Sequence, residues 1–424
     1  MSGSTPGQTS DVIAEPVARR GGIPRGIATS GPALLAYGFR PFFLGAGLFG
    51  VLSMVLWLGA LIGGWPIGGK VYAGFVWHAH EMIFGYATAA LAGFMLTAIP
   101  NWTGRLPVSG RPLALLVALW AAGRLVMAAP DLLGAYPSAV IDGAFLPVLA
   151  LIAGREIVAG RNWKNLKILV GLGLLSAVNI ALHVAILGGH DAAALFRAGI
   201  AVFIMLIALV GGRIVPSFTR NWLARQGLAP LPQPFGRLDI VAMTITGLAL
   251  ATWIVLPADL VTAGTAFLAA LAQLARLAGW RGHRTLPEPL VAVLHAGYLF
   301  VPLGLVAIGL AALHWLSPTS ALHVLTVGAI GVMTLAVMTR ATLGHTGRRL
   351  AASKPTLAAY LALLAAALVR PTAEMAPDLF QTLAALSAAG WIAAFGLFLV
   401  EYGPMLLQPR VSDKRGQAPA AQRA

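Results

Sequence analysis

Residues 72–105 read YAGFVWHAHEMIFGYATAALAGFMLTAIPNWTGR. The stretch opens on His78, His80 and Glu81, closes on Asn101, Trp102, Thr103 and Arg105, and is apolar in between. A helix from His80 to Thr103 would be about 34 Å long, against a hydrocarbon core about 30 Å thick. One helix therefore crosses a bilayer with ionisable groups at one face and a polar cluster at the other.

The rest of the chain repeats this plan. Apolar runs fall at roughly 42–63, 78–100, 112–129, 134–154, 166–188, 193–215, 236–256, 260–279, 289–312, 320–342, 355–371 and 378–404. Each is near the length a bilayer demands, so the spacing predicts an all-α integral membrane protein of twelve transmembrane helices. Spans three and four, and spans seven and eight, are separated by so few residues that they must form tight hairpins. Composition agrees: 58% of the 424 residues are hydrophobic and 10% charged, with mean hydropathy +0.82, whereas soluble domains are about 25% charged. Residues 1–36 and 408–424 read as disordered cytoplasmic tails flanking a membrane domain at 37–407, and the first tail lacks the apolar core of a signal peptide.

The net charge of +15 does not point to nucleic acid. With the N-terminus in the cytoplasm, 25 of the 29 Lys and Arg fall in the tails or in loops on that side; the exceptions are Lys70, Arg124, Arg197 and Arg370. The positive-inside rule thus predicts that both termini are cytoplasmic. Cysteine is absent, which excludes disulfides, thiolate metal sites and iron–sulfur clusters.

An internal repeat is visible when His80 is aligned with His323 without gaps. HEMIFGYATAALAGFMLTAIPNWTGR and HVLTVGAIGVMTLAVMTRATLGHTGR both begin with His and end Thr-Gly-Arg. Thr103, Gly104 and Arg105 match Thr346, Gly347 and Arg348, and Trp102 matches His345. A third segment, Leu195 to Arg220, keeps only the final arginine. These are spans two, ten and six, so the chain reads as three four-span units at about 37–160, 161–284 and 285–407. The bland alternative is chance recurrence of loop-flanking Thr, Gly and Arg.

Several residues can carry chemistry. Imidazole suits copper and haem iron. On a regular helix His78 and His80 point about 200° apart, which favours two separate roles over one shared ion. Glu81, one turn after His78, is a candidate proton donor. The alternative for this cluster is an interfacial anchor beside Trp77. His323, the repeat partner of His80, would meet it at one depth if both spans line the centre. His295, inside span nine, is either a ligand or a histidine bonded to a neighbouring helix. His183 in span five is a weaker candidate, and His190, His283 and His314 are loop residues. Arg213, Arg340 and His345, near the opposite face, can hold propionates or a small polar substrate; their alternative reading is helix capping and positive-inside charge. Arg124 and Asp142 are read as a structural ion pair across the first hairpin.

The strings YGFRPFF (37–43), WHAHEMIFG (77–85), GFMLTAIPNWTGR (93–105), HAGY (295–298) and AVMTRATLGHTGR (336–348) resemble the NnrS family over nearly the whole span region. That resemblance implies a multi-pass protein of the bacterial inner membrane that binds haem b and copper and is linked to nitric oxide, denitrification and nitrosative stress. It marks His78, His80, Glu81, His295, Arg340 and His345 as motif positions, and His323 is added by the repeat. Three functions follow as expectations: reduction of nitric oxide to nitrous oxide with Glu81 as the catalytic acid; sensing, sequestration or resistance without turnover; and transport of a metal, haem or small solute. No c-type haem or flavin motif names an electron donor.

Overall fold

A computed structural model describes residues 31–411; the tails read at 1–30 and 412–424 lie outside the described residues. Residues 31–36, read as part of the first tail, include a short 3-10 turn at Ala33–Leu35. Every other described element is helical too, and twelve helices are long and apolar enough to cross a membrane. They are α1 (Phe39–Gly63), α2 (Phe75–Thr103), α3 (Gly110–Ala128), α4 (Ala135–Ala159), α5 (Trp163–Leu187), α6 (Ala193–Arg225), α7 (Arg237–Val255), α8 (Leu260–Gly279), α9 (Pro289–Ala312), α10 (Pro318–His345), α11 (Lys354–Met375) and α12 (Pro377–Leu407). The protein is a multi-pass membrane protein.

Helices α2, α9 and α10 are the most enclosed. The others turn apolar side chains such as Leu115, Leu125, Leu151 and Val400 outward, as lipid-facing helices do. Helix α1 packs along α12 and closes the bundle. Arg40, in the first of the quoted motifs, fastens this closure. Its guanidinium donates to the carbonyls of Leu406 (2.9 Å) and Gln408 (2.6 Å), capping the end of α12.

Helices α2, α6 and α10 meet along a common interior, where one apolar chamber is lined by Leu91 and Met95, by Phe203 and Val210, and by Met333 and Val337. Each of these helices loosens into a π-helical stretch: Glu81–Ala87, Ile207–Gly211 and Val324–Gly331. The first and third begin one residue after His80 and His323, the two positions the sequence aligns. A π-helical stretch frees carbonyls from the helix ladder, and such stretches concentrate at functional sites. Here Trp120 of α3 donates to the carbonyl of Gly85 at 3.0 Å, and Arg276 of α8 donates to that of Ala208 at 2.9 Å.

Candidate functional site: two histidine groups on one helical turn

The chemistry gathers where α2 begins, termed the His80 face; the opposite side is the Arg105 face. His80 is fully buried. Its Nδ1 donates to Glu81 Oε1 (2.8 Å), and its Nε2 lies 3.1 Å from Asn179 Oδ1 and 3.2 Å from Asp142 Oδ2. Arg124 donates to Glu81 Oε1 (2.6 Å) and to Asp142 Oδ1. Asp142 Oδ2 also accepts from Asn179 Nδ2 (3.0 Å) and from His183 Nε2 (2.8 Å). The Tyr72 hydroxyl closes the network by donating to His183 Nδ1 (2.8 Å). Tyr72 lies between α1 and α2, and burial pushes its phenol up to about 12, so it is a neutral donor at physiological pH. Gly85 makes the network possible, because a Cβ there would strike the Arg124 guanidinium and Phe49.

The ion pair read between Arg124 and Asp142 forms, but it is one edge of this larger network. Glu81 is fully enclosed, which an interfacial anchor would not be, and its Oε2 is buried without a partner.

Can the network hold a metal? Ligand atoms of His80, Asp142 and His183 all lie within 4.8 Å of one another. The second nitrogen of each imidazole is held by an oxygen, Glu81 for His80 and Tyr72 for His183, as metal-bound histidines require. With neutral imidazoles, two carboxylates and one guanidinium leave the buried group with one negative charge uncompensated. The donors and the charge fit a divalent transition-metal cation.

His78 faces elsewhere, as its spacing from His80 demands. Its ring stacks on Trp57 (centroids 4.5 Å apart, planes at 18°), and its Nδ1 is buried without a partner. His78, His323 and Arg370 come within electrostatic reach of one another. His323 donates from Nδ1 to the Thr319 carbonyl (2.8 Å), which leaves Nε2 as a lone-pair donor. Thus His323 groups with His78, whereas His80, its aligned partner in sequence, is committed to the Asp142 network. His78 Nδ1 and His323 Nε2 are nitrogens free to ligate, and Arg370 within their reach is paired with Glu374 at 3.4 Å.

The remaining candidates lie far from both groups. His295 bridges α9 to α6 through Thr219 Oγ1 (2.7 Å). Arg213 donates to Asn165 Oδ1 (3.4 Å). Arg340 and His345 line a second cavity at the Arg105 face. Counted along α10, Arg340 is about 25 Å from His323, so it cannot share a ligand with the imidazoles at the His80 face. His190, His283 and His314 are exposed.

Residues passed over in the sequence are central here. His183 was set aside, while Tyr72 and Asn179 went unremarked. A signal was present: Ser176, Asn179 and His183 recur at helical spacing on one face of an apolar span, and an intramembrane polar stripe marks a site by default.

The fold and this chemistry define a class: a multi-pass α-helical membrane protein with histidine–carboxylate chemistry buried near one face. A family model described as NnrS protein matches residues 33–410. The chain belongs to the NnrS family. No curated protein matches it.

Proposed function

We propose that this is a haem- and copper-binding protein of nitric oxide metabolism in the bacterial inner membrane, with both termini cytoplasmic. The observation that carries the reading is that one turn of α2 delivers imidazoles to two different sites. His78 and His323 would hold haem b, with Arg370 beside them, and His80, Asp142 and His183 would hold copper. When bound, the haem would supply iron redox chemistry and the copper single-electron exchange.

The chain's own residues supply protons and insulation. Glu81 is held at Oε1 by His80 Nδ1 and Arg124, and its Oε2 is buried without a partner, the atom suited to hand a proton to a reacting group. Arg124 holds both carboxylates in place. The apolar chamber between α2, α6 and α10 admits a small uncharged gas and discourages water. Reduction of nitric oxide to nitrous oxide is the reaction this arrangement serves.

The test is anaerobic consumption of nitric oxide by purified protein with an artificial electron donor. Sustained consumption with nitrous oxide formed, lowered about a hundredfold or more in Glu81→Gln, is the expected result. Unchanged consumption in that variant removes Glu81 from the reaction.

A second reading, binding without turnover, draws on Glu81 being enclosed and clamped between His80 and Arg124. It gives stoichiometric binding of nitric oxide with no nitrous oxide.

A further inference from the structure

The lower chamber, at the Arg105 face, is chemically unlike the apolar one above it. It has a volume of about 270 Å³ and is lined by Thr97 and Asn101 of α2, Phe218 of α6, and Arg340 and His345 of α10. It therefore sits among the same three inner helices. Its rim residues Gly344 and Leu350 are exposed, so a solute can enter from that face.

Arg340 stands in its wall without a counter-ion. Among the described residues its guanidinium makes no hydrogen bond and no ion pair; its one close partner is the Phe218 ring, with the centroid 4.1 Å away. Glu288 and Arg225 are the nearest charges acting on it, and neither is within ion-pairing distance. Stacking on an aromatic face fixes the plane of a guanidinium while leaving its N–H edge free. His345 is held from behind by Tyr37 and Phe39, with centroids at 5.7 and 5.5 Å, and among the described residues makes no hydrogen bond. Asn101 gives one amide hydrogen to the Thr97 carbonyl (3.2 Å) and keeps the other. Three oriented polar groups thus share one cavity with a single uncompensated positive charge.

We infer that this chamber is a binding site for one small, planar, monovalent oxyanion, held in bidentate fashion by Arg340 with His345 and Asn101 as the flanking contacts. The charge sets the valence. The guanidinium fork matches two oxygens on one centre. The chamber, about 270 Å³, has room for nitrite, nitrate or a short carboxylate. The site is independent of the haem and copper sites and can be tested without either.

The experiment is calorimetric titration and thermal-midpoint measurement on the full chain in lipid nanodiscs, with sodium nitrite, sodium nitrate, sodium formate and sodium chloride as probes at constant ionic strength. Wild type is expected to bind an oxyanion saturably with a rise in midpoint, while chloride, with no oxygen pair, binds about tenfold or more weakly. The oxyanion of highest affinity identifies the natural class, nitrogen oxide or carboxylate. Arg340→Gln is expected to abolish the saturable signal, while metal content stays at the wild-type value. If Arg340→Gln does not fold, His345→Gln, further along α10, is expected to weaken oxyanion binding about tenfold. Absence of saturable binding in wild type, equal binding of chloride, or unaltered affinity in the folded variants would overturn the assignment.

Discussion

Arg124 of α3 and Arg276 of α8 each leave a two-helix hairpin to reach an inner helix beside its π-helical stretch. In both cases a glycine on the inner helix clears the way, Gly85 for Arg124 and Gly212 for Arg276. Both guanidinium groups pair with an aspartate from the other helix of their hairpin, Asp142 and Asp239. The surroundings then diverge. Arg276 gives one nitrogen to the Ala208 carbonyl and the Tyr298 hydroxyl, and Tyr298 passes its proton to Gln273 (2.8 Å), which donates to Thr246 (2.8 Å). That network is one charge against one charge with neutral amides and hydroxyls around it, and its one orphan atom is a nitrogen of the cation itself, Arg276 Nη2. The Arg124 network adds a second carboxylate, Glu81, and two imidazoles. A buried ion pair is by itself weak evidence of function. What separates a structural pair from a site is the surplus: an uncompensated charge, an orphan oxygen and nitrogen donors.

If the contrast is real, the two arginines will not respond alike. Arg124→Met strands two enclosed carboxylates, and a loss of about 3–5 kcal/mol is expected, read as a large fall in thermal midpoint in detergent. Arg276→Met strands only Asp239, whose side chain keeps 12% exposure and caps the Gly236 amide at 2.8 Å, so its fall is smaller. Equal losses would erase the distinction.

The carboxylates should diverge as well. Asp142→Asn is expected to lower copper content at least about tenfold, and Asp239→Asn to leave it unchanged. The tyrosines sharpen the point, because each completes its own network. Tyr72→Phe should cost about ten- to a hundredfold in metal affinity, the range for partners behind a ligand. Tyr298→Phe should cost about 1 kcal/mol of stability and no metal.

The smallest effect is in pH. Burial pushes the phenols of Tyr72 and Tyr37 from 10.0 up to about 12. A raised folded pKa means the protonated form is favoured in the fold, so this contribution is complete below pH 10 and is lost as pH climbs towards 12. Thermal midpoints should fall over that window, and Tyr72→Phe should fall less steeply.

The membrane plan was legible because hydropathy and length act residue by residue: the twelve helices coincide with the twelve apolar runs, α6 alone continuing well past its run at 215 to Arg225, and both hairpins form. Individual polar residues could also be singled out, since charge inside an apolar run is conspicuous. Their partnerships were harder. Aligning His80 with His323 suggested one shared centre, yet the packing places His323 with His78, because neighbours are chosen by the direction of a side chain around its helix and not by depth alone. His183 ranks low and Asn179 not at all in the sequence, because a polar stripe on a span far from the quoted motifs gains meaning only once α5 is known to face α2. Arg340 was marked for its position within an apolar run, but nothing in the string tells that its partner is an aromatic ring.

The central claim is that His78 and His80, two residues apart, serve different cofactors. Haem absorbance and bound copper should be measured together on wild type, His323→Ala and His183→Ala. Loss of the Soret band with copper retained in His323→Ala, and loss of copper with the Soret band retained in His183→Ala, is the predicted crossed result. Parallel loss or parallel retention of both cofactors in both folded variants would contradict it.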